Sequence, residues 1–181
     1  MRNKNYNQIM SVLAALFAAL ICVGAYISFP IPGSPIPIVL QNMFILLTGF
    51  VLGPLWGFIS ISIYLLLGII GLPVFSGGGK GIAHIMGPTG GYLLSYIIAV
   101  VIIGLLTYGK RPGLIRCYVV LIIASIIIYA IGVTWLKMKL GFTFEKAIKV
   151  GMLPYLIGDS IKIIIAGSIG WKLKPIIHEM I

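Results

Sequence analysis

The chain has 181 residues, of which 60% are hydrophobic and 9% charged, against about 25% charged in soluble proteins. That excludes an ordinary soluble domain and indicates an integral membrane protein. On a soluble chain the net charge of +10 would suggest nucleic acid, but the basic residues gather at the ends of apolar runs, where they set orientation in a membrane.

Residues 9–27 follow Arg2 and Lys4 and form an uncharged run long enough to span a bilayer. The run is too long for the apolar core of a signal peptide and more spans follow, so it reads as a retained first helix. Ala14/Ala18 and Ala15/Ala19 make two small-xxx-small pairs on it. Such pairs let another helix approach closely in lipid, although any alanine-rich helix shows them. Pro30, Pro32, Pro35 and Pro37 then forbid helix and hold the chain extended. The apolar residues between them predict a loop packed on the protein.

Gln41 and Asn42 open a short second span to about residue 52. An amide pair at a helix start is by default a cap and alternatively the polar lining of a cavity. Gly53-Pro54 predicts a tight turn into the third span, 55–70, which carries Tyr64. Residues 71–92 are the longest irregular stretch and are dense in glycine, which allows close backbone approach to a ligand and supplies hinges. Apolar residues within it, from Leu72 to Met86, predict that it folds back into the bundle, as irregular backbone at membrane depth requires. Gly79-Lys80 is not a phosphate loop. Gly81 stands where Ser or Thr is needed, Val74 where the first motif glycine should be, and no strand precedes. His84 and His178 lack Cys or carboxylate company, so no metal site is expected. Cys22 and Cys117 read as small buried hydrophobes, not as a disulfide.

Residues 92–108 form the fourth span, Lys110-Arg111-Pro-Gly-Leu-Ile-Arg116 a basic loop, and 117–136 a nearly pure aliphatic fifth span. Residues 137–149 make an amphipathic connector with Lys137, Lys139, Glu145, Lys146 and Lys149. The sixth span, 153–171, carries Asp159 and Lys162, which three-residue spacing puts on one helix face. Charge at membrane depth is expensive, normally faces the protein interior and normally has a function. The tail adds Lys172, Lys174, His178 and Glu179.

Six spans put both termini on one side. Arg2, Lys4, Lys110, Arg111, Arg116, Lys172 and Lys174 on that side outnumber Lys80, Lys137, Lys139, Lys146 and Lys149 opposite, so the termini are expected in the cytoplasm. The expected fold is a single all-α transmembrane domain, residues 1–181, with six transmembrane helices and an extracellular Gly-rich lid loop over an outward-opening pocket. Enzyme activity is not expected. Intramembrane aspartyl chemistry would need a second carboxylate in the spans, and Glu145 and Glu179 lie outside them. There is no nucleotide-binding motif, and no cofactor is indicated.

Five stretches in chain order carry a resemblance: Pro35-Ile-Pro-Ile-Val-Leu-Gln41-Asn42, Leu52-Gly-Pro-Leu-Trp-Gly57, Gly71-Leu-Pro-Val-Phe75, Gly87-Pro-Thr-Gly-Gly-Tyr92 and Gly158-Asp159-Ser-Ile-Lys162. Together they are similar to the BioY family, the substrate-binding subunits of biotin transporters of the energy-coupling-factor type. The resemblance implies six helices, cytoplasmic termini in the cell membrane, and high-affinity biotin uptake from outside, through a pocket beneath loops 28–40 and 71–91. It implies as partners a transmembrane coupling protein and two cytosolic ATPases, with the coupling protein docking on Ala14, Ala15, Ala18 and Ala19. Biotin contacts carry over to Asp159, Lys162 and the Gly-rich loop at Gly78, Gly79 and Lys80, where some relatives place a side-chain amide.

Biotin's chemistry matches that set. Its ureido ring has two N–H donors and one carbonyl acceptor. Asp159 can accept from the N–H groups in a charge-assisted bond. Lys162 can donate to the ureido oxygen or keep Asp159 ionised. Phe75, Tyr92, Tyr64 and Tyr155 are candidate apolar walls, and Gln41 a candidate polar lining residue. The alternative is that Asp159 and Lys162 only pair with each other.

Overall fold

The computed structural model describes residues 2–107, 109 and 112–180, the side chains of 2–4, 178 and 180 excepted. Tyr108, Lys110 and Arg111, assigned above to the end of the fourth span and the basic loop, lie outside the described residues. So do the side chains of Arg2, Lys4 and His178.

The chain runs α1 (Arg2–Tyr26), β1 (Ser28–Phe29), β2 (Ile38–Val39), α2 (Gln41–Ile69), α3 (Gly81–Met86), α4 (Gly90–Leu106), α5 (Leu114–Leu140), α6 (Phe144–Gly151) and α7 (Leu156–Met180). Single 3-10 turns stand at Ser76–Gly78 and Leu153–Tyr155. One contiguous apolar core runs through all the long helices, with Ile21, Ile45, Tyr64, Ile103, Leu121 and Ala166 among its fully enclosed members.

The helix α2 is two membrane segments, not one. At Gly53 the backbone leaves helix for φ 76°, ψ −173°, and Pro54 follows. Positive φ favours glycine, and proline removes the amide that would continue the ladder. The chain reverses there. Gln41 and Tyr64 are 23 residues apart, roughly 34 Å along a straight helix, yet the Gln41 amide donates to the Tyr64 hydroxyl at 2.8 Å. The turn predicted at Gly53-Pro54 is therefore present, and the apolar helical segments number six: α1, two limbs of α2, α4, α5 and α7.

The first limb, residues 41–52, is roughly 18 Å long at 1.5 Å per residue, well short of the ~30 Å hydrocarbon core. It survives because protein encloses it: every residue from Ile45 to Leu52 is buried. Against it lies α4, close enough that a Cβ on Gly49 would stand 2.9 Å from the Val100 carbonyl oxygen.

Several boundaries differ from expectation. The first helix begins at Arg2, not at residue 9. The proline-rich segment is a two-residue antiparallel ribbon, Ser28 opposite Val39 and Phe29 opposite Ile38, and not merely an extended loop. The glycine-rich stretch contains a 3-10 turn and α3, so it is more ordered than a loop. The lysine connector is divided. The fifth helix continues to Leu140 and stops at Gly141 in the left-handed conformation; α6 then starts afresh, with Thr143 Oγ1 accepting from the Lys146 amide at 3.3 Å.

Lys174 is the clearest departure. Counted from the sequence among the tail cations of the terminal side, it is 5% exposed, because α7 continues along the bundle to Met180. Its ammonium donates to the Thr107 carbonyl at 2.5 Å and to Thr107 Oγ1 at 3.3 Å. It also lies 5.0 Å from the centre of the Phe50 ring. Residue 107 ends α4, where carbonyls lack helical partners and attract cations.

Candidate ligand-binding site

At the end of the bundle opposite Lys174, helices α2, α4, α5 and α7 converge under the two long loops on a polar cluster. Asp159 is 8% exposed and Lys162 6%. They stand on α7, and the ammonium donates to Asp159 Oδ1 at 2.7 Å. The second carboxylate oxygen, Oδ2, accepts from the Tyr129 hydroxyl at 2.5 Å and from Asn42 Nδ2 at 3.4 Å. Asn42 Oδ1 in turn accepts from the Tyr96 hydroxyl at 2.8 Å. One residue each from α2, α4 and α5 therefore joins two from α7 in one network. A carboxylate at this depth is tolerable because it is paired and receives further hydrogen bonds.

This cluster floors a cavity of about 40 Å³. Gln41 and Asn42, Tyr92 and Tyr96, Tyr129, and Asp159 with Lys162 line its floor and sides. Ile36 and Pro37 from the proline-rich loop, with Ser76 and Thr89 from the glycine-rich stretch, roof it, and Tyr155 stands at its rim. Hydrogen bonds fix the cover in place. The Tyr155 hydroxyl donates to the Ile36 carbonyl, and Ser34 Oγ donates to the Val150 carbonyl at 2.7 Å. Trp135 Nε1 donates to the Gly87 carbonyl at 2.9 Å, and the Tyr92 hydroxyl donates to the Gly151 carbonyl at 2.8 Å.

Five of the residues singled out from the sequence line this cavity: Gln41, Tyr92, Tyr155, Asp159 and Lys162. The other five do not. Tyr64 is fully buried behind the wall and orients Gln41. Phe75 is also fully buried. Its ring meets Tyr64 edge-on at 5.5 Å and stacks on His84 at 5.2 Å. It packs the lid against the bundle and does not line this cavity. Gly78, at φ 76°, shapes the 3-10 turn, and Gly79 lies against the His84 ring. Lys80 is exposed at the start of α3. The glycine-rich stretch thus reaches the cavity through Ser76 and Thr89.

The default reading of Gln41 and Asn42 as a helix cap is overturned. The capping residue is Leu40, without a side-chain bond, and both amides serve the polar interior. Asn42 takes the alternative the sequence left open for the amide pair, a polar lining, while Tyr96 and Tyr129 are lining residues that sequence reasoning missed. Tyr96 follows Tyr92 by four residues, hence on the same helix face. Tyr129 interrupts an aliphatic run, and both signals were available in the sequence.

The four alanines divide. Ala14 and Ala18 are buried at 0% and 1% exposure, inside the chain's own bundle. Ala15 and Ala19 are exposed.

Six apolar helical segments around an enclosed, charge-paired polar pocket define a multi-pass membrane protein of the ligand-binding, transport-component class. A profile of the BioY family matches residues 1–179, and the chain belongs to that family. It is 46% identical over 162 residues to the probable biotin transporter BioY of Pyrococcus horikoshii, covering 90% of this chain and 94% of that protein. It is 40% identical over 166 residues to the biotin transporter BioY of Thermotoga maritima, covering 91% and 95%. A crystal structure of the S-component for biotin from an ECF-type ABC transporter superposes with a TM-score of 0.87 at 30% identity, over 93% of this chain and 92% of that one.

Proposed function

We propose that this chain is a single-domain substrate-binding component for biotin uptake across the cell membrane, working with a transmembrane coupling protein and two cytosolic ATPases. The observation that carries the reading is the buried Asp159–Lys162 pair beneath two loops, with Asp159 also receiving Tyr129 and Asn42. The long Asn42 contact of 3.4 Å is the one a ureido N–H would replace, giving a shorter charge-assisted bond to the carboxylate. Lys162 Nζ has one hydrogen-bond partner among the described residues, which leaves N–H groups for the ureido oxygen. The cavity of about 40 Å³ is far below the ~300 Å³ or more of sites that bind such ligands. Admission of biotin therefore requires the loop cover to move outward.

No covalent step and no cofactor belong to this activity; uptake against a gradient draws energy from the partner ATPases. The exposed Ala15 and Ala19 serve as the small-residue docking stripe for the coupling protein. The excess of basic residues on the terminal side supports cytoplasmic termini and a pocket open to the outside. The test is calorimetric titration of biotin into the purified chain in detergent, beside Asp159→Asn and Lys162→Ala. Tight binding by the parent and at least tenfold weaker binding by both variants is expected. A folded parent that does not bind biotin overturns the substrate.

A further inference from the structure

On the membrane-facing side, α5 and α7 do not close fully on each other. Between them runs an apolar groove of about 460 Å³, lined by Ile122, Ile126 and Ala130 of α5, Ser160 and Ile163 of α7, and Phe144 of α6. From residue 122 to 133 it extends roughly 16 Å along α5, at 1.5 Å per residue. Toward the Lys174 end the two helices are pinned together, with the Tyr118 and Ser168 hydroxyls 2.9 Å apart. The back of the groove is Tyr129 and Asp159, which also line the ligand cavity. Those two side chains, joined by a 2.5 Å hydrogen bond, stand between the two spaces.

We propose that this groove is a binding site for one acyl chain of an anionic phospholipid, whose phosphate is held at Lys137. The groove lies at membrane depth, where the surrounding solvent is hydrocarbon, and a void there forfeits dispersion contacts along its whole lining. At its mouth the Lys137 ammonium lies 5.7 Å from the Phe144 ring centre. Among the described residues the salt bridges involve Lys149 and Lys162, so Lys137 presents an unneutralised charge beside an apolar slot. A phosphate headgroup complements the first through charge-assisted hydrogen bonds and its acyl chain the second. The lipid backs the Tyr129–Asp159 wall and keeps the polar cluster shielded from the side.

The experiment places the full chain in phosphatidylcholine vesicles containing a small fraction of phosphatidylglycerol bearing a diazirine on one acyl chain. Labelled peptides are mapped after irradiation. Labelling of segments 122–133 and 156–163 is expected to exceed that of the outer face of α1 at least threefold. Ala130→Trp, which fills the groove, should remove the excess, and Ile126→Trp should do so independently. Lys137→Gln should lower labelling by the phosphatidylglycerol probe and leave labelling by the matching phosphatidylcholine probe unchanged. Retained biotin binding and monodisperse elution verify that each variant is folded. Even labelling around the bundle, or an excess that both tryptophans leave in place, overturns the site. Equal excess labelling by the two probes overturns the headgroup contact and, with it, the anionic-lipid assignment.

Discussion

The Tyr129 hydroxyl donates to Asp159 Oδ2 at 2.5 Å, joining the middle of α5 to the start of α7. It acts on the same carboxylate that Lys162 holds through the other oxygen, so the two contacts together fix the plane of the Asp159 group. A hydrogen bond to a charged group contributes about 1.5–3 kcal/mol. Tyr129→Phe is therefore expected to weaken biotin binding roughly tenfold or more by calorimetry while keeping the ring and the fold. Unchanged affinity would show that Tyr129 does not position the acceptor.

The buried pair predicts an asymmetry between single and double variants. Removing one partner leaves an uncompensated charge at membrane depth, at about 3–5 kcal/mol. Lys162→Ala should thus lower the thermal midpoint in detergent by roughly 6 °C or more. Asp159→Asn combined with Lys162→Met leaves no buried charge in this cluster and should recover at least half of that loss. Biotin binding should be absent from both proteins. A double variant as unstable as the single one would mean that the destabilisation comes from lost packing.

The alanines on α1 allow internal packing to be tested apart from the proposed partner docking. Ala14→Leu places extra methyl groups in a filled core, and overpacking costs about 1–3 kcal/mol, so its thermal midpoint should fall. Ala15→Trp and Ala19→Trp project outward and should leave the midpoint and biotin affinity unchanged. In vesicles reconstituted with the coupling protein and ATPases, the same two variants should lose ATP-driven uptake. Full uptake by Ala15→Trp with Ala19→Trp would move docking to another face.

The lid should respond to acid. His84 stacks on Phe75 and shares a 3.3 Å hydrogen bond with Thr89 Oγ1, and burial pushes its imidazole below the usual value near 6.5. A depressed histidine favours the docked lid only while neutral. Its contribution is fully present above pH 6.5 and is lost as pH falls below that value toward the lowered one. Protection factors across residues 76–89, in which the intrinsic acid slowing of amide exchange is divided out, should therefore fall between pH 7.5 and pH 5, and His84→Phe should flatten that dependence. The same pH dependence in His84→Phe would assign it to another group.

Ligand discrimination follows from the floor of the cavity. A site that spends buried polar groups on a ureido ring rejects molecules lacking it steeply. Dethiobiotin, which keeps the ureido group, should bind far more tightly than lipoate, which lacks it, in competition with labelled biotin. Equal binding of the two would remove Asp159 and Lys162 from ligand recognition.

How far the sequence disclosed this arrangement depended on the kind of signal. Apolar runs and Gly53-Pro54 gave six helical segments, because spanning length and a helix-breaking dipeptide are local properties. Asp159 and Lys162 stood out because charge in an apolar helix is conspicuous in one dimension. Tyr96 and Tyr129 did not, since a tyrosine in a span is unremarkable until other helices bring it to a carboxylate, and Asn42 stood only as the lesser alternative to a cap. Phe75 and Tyr64 erred in the other direction: aromatic residues near a ligand loop suggest walls, but these two spend their surface on each other and on His84. Lys174 carries no sign of its burial in the sequence, where a lysine after an apolar run is one more cation of the terminal side. Only the tertiary course of α7 shows that it caps the end of α4.

That cap gives the two poles of the bundle different mechanical characters. Around Thr107 an ammonium, a helix terminus and the Phe50 ring lock α4 to α7 directly. Around Asp159 the enclosure depends on short ribbons, a 3-10 turn and hydroxyl-to-carbonyl bonds that each release at small cost. Lys174 is consequently a fulcrum. Outward displacement at the loop pole can be large while the far pole hardly shifts, so the molecule can take in a ligand without loosening its opposite face.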